Sequence, residues 1–242
     1  MGNFCCNEKE KGISKYAKNA DEKSKKDIDN IFQKFFDVEN RKIKSCEVTE
    51  EDCSELNELL NNIPNQFYFL NKLNDWRNIE SMMPENVLEF LGGAFSFIIS
   101  KWEEEKNLEI FRLVTILAGT FYSEKNKEDE KVNVKTFLCQ KIENKKIIQS
   151  NDVWKQYLQK DIENDLNQKS KEMKKMSNDK KEKIKNDVIN AKLLSAVPNM
   201  KNCGLEENTI KAIIGDVANN YGWTEDRQNS LNVIIEGLMQ EN

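Results

Sequence analysis

Residues 85–102 read ENVLEFLGGAFSFIISKW, and residues 108–122 read LEIFRLVTILAGTFY. The first carries an apolar run from Val87 to Ile99, broken only by Glu89. A bilayer-spanning helix needs about twenty apolar residues, so this run is too short and reads as a buried core helix. Pro84 suits its first turn, where a missing N–H goes unnoticed. The Gly92-Gly93 pair lacks a strand-loop-helix context for a phosphate cradle. We read it as permitting close helix packing or a kink. The second stretch is apolar nearly all round and is expected to be the most buried helix.

Working towards the N-terminus, Phe67, Leu70 and Leu73 share a helical face, and Pro64 ends or bends the element before them. TEEDCSELNELL is a helix with Thr49 as N-cap, preceded by a loop over 39–53. Ile28, Ile31, Phe32, Phe35 and Phe36 form one stripe of a helix starting near Asp27. Residues 7–23 are polar and lysine-rich and read as a tether.

Towards the C-terminus, SEKNKEDEK reads as an exposed loop. VNVKTFLCQKIENKKIIQSNDVWKQYLQKDIENDL reads as two helices with a break near residues 149–151, where Ser150 or Asn151 can cap the second. Residues 167–185 read as a solvated helix rather than a basic binding surface, because acids interleave with the lysines. VINAKLLSAV follows and Pro198 terminates it. Two closing helices carry the stripes Ile210, Ile213, Ile214, Val217 and Leu231, Ile234, Ile235, Leu238. Gly222 as C′ residue and Thr224 as N-cap make them a hairpin. The expected fold is all-α, about nine helices in an irregular bundle or short HEAT-like array. Its expected divisions are a tether over 1–23 and a helical domain over 24–242, the latter parted into 24–103 and 105–235.

The 242-residue composition agrees, with 9 Gly and 3 Pro as the few breakers. A net charge of -5, with both signs dispersed, gives no reason to expect nucleic-acid binding. The chain has six cysteines and no histidine. The absence of histidine excludes Ser-His-Asp and Cys-His catalysis and His-ligated metals. The cysteine spacings fit neither a zinc site nor a disulfide framework, so no metal and no cofactor are expected. With no secretory leader recognised, a cytoplasmic chain with reduced thiols is expected.

In the middle and C-terminal half, the chain resembles the SET-binding-factor-like helical domain of DENN-containing, myotubularin-related pseudophosphatases and of small stand-alone relatives. The resemblance covers roughly residues 105–235. It rests on an apolar helix ending in Phe121-Tyr122, a charged loop, a helix with Phe137, Leu138, Lys141 and Ile142, and a helix with Trp154, Tyr157 and Leu158. Where the family carries a His-Pro turn and a Phe-Trp-Glu step, this chain has Lys145-Lys146-Ile147 and Val153-Trp154-Lys155. The resemblance implies a regulatory or scaffolding role in membrane traffic or small-GTPase pathways, without catalytic residues.

Other constellations are weaker. Glu103, Glu104 and Glu105 read as a solvated helix end rather than an acid–base pair. NKEDEKVNV lacks the central Gly and closing Glu of a calcium loop. Trp223, in the turn of the last hairpin, is the tryptophan to expect as a surface anchor for a protein partner.

The opening MGNFCC carries the sharpest signal. N-myristoylation requires Gly2 behind Met1 and prefers a small hydroxyl residue where Cys6 stands. Cys5 and Cys6 are S-palmitoylation acceptors, and stable anchoring takes two such signals. Lys9, Lys11, Lys15 and Lys18 would each add about 1 kcal/mol of attraction to anionic lipid when near it. The plain alternative is an ordinary terminus with a coincidental Gly and Cys pair. The leading expectation is a non-enzymatic scaffold or adaptor, acylated and peripherally membrane-associated, binding other proteins at the cytosolic face. The alternative is a soluble helical regulator of small GTPases or membrane traffic, or a subunit of a large assembly.

Overall fold

The computed structural model describes residues 17–37, 39–44, 47–127, 132–143, 145–174 and 176–240. The fold is all-α with two small sheets, and among the described residues it has ten α-helices, nine of them long. It divides into two compact units, Met1–Lys145 and Lys146–Asn242, so the division falls inside the span 105–235.

In the first unit, α1 (Glu22–Phe35) starts within the expected tether, because Asp21 caps it by accepting from the Ser24 N–H at 2.9 Å. Ile28, Ile31, Phe32 and Phe35 are buried as the stripe requires. Phe36 leaves the helix for β1 (Phe36–Asp37), which pairs antiparallel with β2 (Lys42–Ile43) inside the expected loop. The Phe36 ring still closes the core, stacked on Phe32 at 4.0 Å and edge-on to Trp76 at 5.1 Å. α2 (Glu50–Leu59) opens with a capping box. The Asp52 N–H donates to Thr49 Oγ1 and the Thr49 N–H to Asp52 Oδ2, each at 3.1 Å. Pro64 neither ends nor bends α2. It lies in the first turn of α3 (Ile63–Trp76), where its missing N–H is one of the groups a helix start leaves unpaired anyway.

α4 (Glu85–Glu105) is the core helix expected, with Val87, Leu88, Leu91, Phe95, Ile98 and Ile99 all buried. α5 (Leu108–Ala118) is likewise apolar and buried, capped by Asn107. Gly92 permits a close approach of another segment. A Cβ there would stand 2.6 Å from Lys141 Cβ and 2.9 Å from its carbonyl oxygen.

The next stretch departs from expectation. β3 (Tyr122–Lys127) and β4 (Val132–Phe137) pair antiparallel, Tyr122 opposite Phe137, where an exposed loop and a helix were read. Leu138–Lys141 is a single 3-10 turn, so Phe137, Leu138, Lys141 and Ile142 do not share one helix. The polar residues of β3 carry no period-two signal, whereas Val132-Asn133-Val134-Lys135 of β4 does alternate, and pairing with β3 decides it as a strand. An ion network fixes them to α4. Glu85 accepts from Ser123 Oγ and Lys141 Nζ and lies 3.5 Å from Lys125 Nζ. Lys141 also reaches Glu89 at 3.2 Å. Burial pushes the Glu85 carboxyl up, but the Lys141 and Ser123 hydrogen bonds outweigh it and hold the group below its ordinary value.

A short α6 (Lys145–Ile148) leads into the second unit. α7 (Asn151–Met173) is capped by Ser150, and its Trp154 is fully buried, with Nε1 donating to the Ile148 carbonyl at 2.7 Å. The solvated helix expected over 167–185 is broken after Met173, and α8 (Asn178–Asn202) starts behind Ser177. Pro198 does not terminate α8, which runs one turn further. The proline forfeits one late backbone hydrogen bond, while Met200 and Cys203 remain buried beyond it. α9 (Glu207–Asn220) and α10 (Glu225–Gln240) form the expected hairpin, with Gly222 at φ 75°. Ile210, Ile213, Ile214 and Val217 are buried. On α10 only Leu231 and Ile235 are, while Ile234 is exposed.

Candidate functional site

In the first unit an open groove of about 390 Å³ is lined by Lys42, Ile43, Glu80, Met82, Met83, Pro84 and Glu124. Its floor is made by the link between α3 and α4. Glu80 Oε1 accepts from the Ser81 and Met82 N–H groups at 3.0 Å each, which holds that link extended. The Tyr122 N–H donates to the Ser81 carbonyl at 3.1 Å, and the Met83 N–H donates to the Tyr122 carbonyl at 2.9 Å. Met82 thereby forms a single parallel bridge with Tyr122, at the start of the outer edge of β3. Met83 is buried beneath, whereas Met82 is 47% exposed and Ile79 45%.

Antiparallel strands turn their backbone groups alternately inward and outward. Tyr122 faces away from β4, so Glu124, two residues on, faces the same way at the groove wall. Its N–H and C=O have no backbone partner on that side among the described residues. Two methionines, an isoleucine, a strand edge and a rim of Lys42, Glu80 and Glu124 suit an extended peptide. Backbone pairing would supply affinity, and the adaptable thioethers would accept its side chains. Sequence reading missed this groove, because it is assembled from two stretches read as loops, around Lys42 and Glu124, and from the unassigned link leading into Pro84. The one local trace is Met82-Met83-Pro84, apolar in a connection that should be polar.

The expected site residues fare differently. Gly2, Cys5, Cys6, Lys9, Lys11 and Lys15 lie outside the described residues. Lys18 is described and exposed. Trp223 is corrected: it is 6% exposed, a core residue rather than a surface anchor. The turn tucks it under α10, its backbone N–H donating to the Ala218 carbonyl at 3.2 Å, and the Arg227 guanidinium covers its ring at 3.8 Å.

Among the described cysteines Cys53 is half-buried, and Cys139 and Cys203 are buried. Burial, with Asp52 and Glu50 nearby, pushes the Cys53 thiol up, away from the reactive thiolate. Burial and then the hydrogen bond to Asp29 push Tyr68 up to about 12. Among the described residues no group of three or more Cys, Asp or Glu is placed to hold a metal ion. No helix among them is long and apolar enough to cross a membrane. No protein-family model, curated protein or solved structure matches the chain.

Proposed function

We propose that this chain is a non-enzymatic scaffold or adaptor, tethered to the cytosolic face of a membrane through acyl chains at Gly2, Cys5 and Cys6. Its helical body then binds protein partners there. The structural observation that carries the partner-binding half is the groove beside β3, where exposed Met82 and half-buried Ile43 line the wall next to the strand edge at Glu124. The anchoring half rests on MGNFCC: a single myristoyl chain holds a protein weakly, and the paired cysteines supply the second signal. The groove's chemistry favours binding over turnover, since its charged groups Lys42, Glu80 and Glu124 sit at an open rim and not in a desolvated cleft.

The test is fractionation of the native protein against Gly2→Ala and Cys5→Ser/Cys6→Ser variants. Wild type should sediment with membranes, Gly2→Ala should be soluble, and the cysteine variant should bind weakly and reversibly. A wild type that stays wholly soluble contradicts the anchor. The resemblance over 105–235 favours a second reading, a soluble regulator of small GTPases. Nucleotide-dependent capture of a small GTPase by the unacylated chain would select that reading.

A further inference from the structure

Between Ile162 on α7 and Val188 on α8 no described residue is buried. The last eleven residues of α7 and the first ten of α8 therefore extend as a two-helix arm, about 16 Å long at 1.5 Å per residue. Residues 167–187 hold eight lysines against four acids, a local charge of +4 in a chain of net charge -5. Along the sequence the acids look interleaved, but the lysines are not neutralised by them. Lys169, Lys171, Lys174, Lys180, Lys181, Lys183 and Lys185 have no ion pair among the described residues. Elsewhere in the unit Lys155 pairs with Asp216 at 2.6 Å, Lys192 with Asp161 at 2.9 Å and Lys211 with Glu236 at 2.6 Å, whereas Lys146 and Lys160 have no ion pair among the described residues. At the arm's end, the turn between the helices carries the half-buried Met173 and Met176.

We propose that this arm is a second membrane contact, whose lysines bind the headgroups of an anionic lipid surface while Met173 and Met176 face its apolar boundary. It rests on the membrane reading above for its setting, not for its chemistry. Residues 167–187 contain no arginine and no aromatic residue. They therefore lack the forked donors that read bases and the rings on which bases stack, which disfavours nucleic acid. Unpaired lysines beside the half-buried Met173 and Met176 instead match an anionic bilayer, where charge attracts and a shallow insertion holds.

The experiment uses the full chain made without acyl chains, so that anchoring cannot mask the arm. Its partition onto phosphatidylserine-containing vesicles is compared with that onto pure phosphatidylcholine. The variants are K171Q/K174Q/K180Q on the exposed arm and K9Q/K11Q/K15Q in the tether. Wild type should prefer the anionic vesicles and lose binding steeply with salt. The arm variant should lose about a hundredfold in partition coefficient, at about 1 kcal/mol for each of the three lysines removed. Loss with the tether variant alone overturns the arm and leaves the membrane reading standing. Equal partition onto both vesicles, or none onto either, also overturns it. The acyl anchor is judged separately, by fractionation of native protein. Capture of the full chain by a single-stranded oligonucleotide that persists at a salt concentration at which the anionic vesicles have released it would overturn the lipid assignment in favour of nucleic acid.

Discussion

The molecule contains two hairpins of different physics. The β3–β4 hairpin of the first unit is held to its surroundings by polar and steric devices: the Glu85 network, the backbone bonds from residues 81–83, and the close passage of Lys141 over Gly92. The α9–α10 hairpin of the second unit is held by an apolar face of Ile210, Ile213, Ile214, Val217, Leu231 and Ile235, with Trp223 folded under the turn. The first depends on distant groups arriving in register. The second carries most of its instructions in its own residues. Geometry-dependent contacts should therefore be brittle to small steric changes, and apolar ones graded by the volume removed.

The largest effect should come from the second unit. Trp154→Ala removes a fully buried indole and its bond to the Ile148 carbonyl, and should destabilise by about 3–5 kcal/mol in denaturant titration. A loss under about 1 kcal/mol would mean that the apolar core there is not decisive.

Next comes a pair on α4. Gly92→Ala should cost about 1–3 kcal/mol, because the new methyl meets Lys141 backbone that cannot yield freely. Gly93→Ala meets nothing within 4 Å, borders a void of about 30 Å³, and should stabilise by about 0.5–1 kcal/mol. If both substitutions act alike, the 3-10 turn is not seated on α4. Between these in size, Thr49→Ala removes a cap and should cost about 1 kcal/mol.

Acid should sharpen the contrast at smaller amplitude. Asp52 is held below its ordinary 3.8, chiefly by the Lys34 hydrogen bond, against the opposing effect of burial. Glu85 is held below its ordinary 4.5. A carboxyl lowered in the folded state contributes stability that is fully present above its unfolded value and lost as pH falls through the folded one. Stability should thus decline from about pH 4.5 downwards, and Glu85→Gln should flatten that decline. An unchanged slope in the variant would show that the network does not bear on folding.

How much could be read beforehand follows the same division. Ser150 before Trp154, the Ile210–Val217 stripe and Gly222 each act within a turn or two of themselves, so helices α7, α9 and α10 are legible. Ser123, Glu124 and Lys125 say nothing locally, because their strand exists through partners at 132–137 and 81–83. Pro198 misleads because proline's local penalty is outweighed by burial on either side of it. The groove was invisible for the same reason as the hairpin. The exposed arm lysines were visible as charge, but their lack of partners belongs to the fold. Trp223 misled because a turn position suggests exposure, while its indole reaches back under α10.

The central claim, that Gly2, Cys5 and Cys6 anchor this helical body to a membrane, is tested most directly by the intact mass of the protein from its native source. The account predicts a chain lacking Met1 that carries one amide-linked myristoyl group and at least one palmitoyl group, the latter removed by hydroxylamine and the former retained. A native mass with neither acyl group would contradict it.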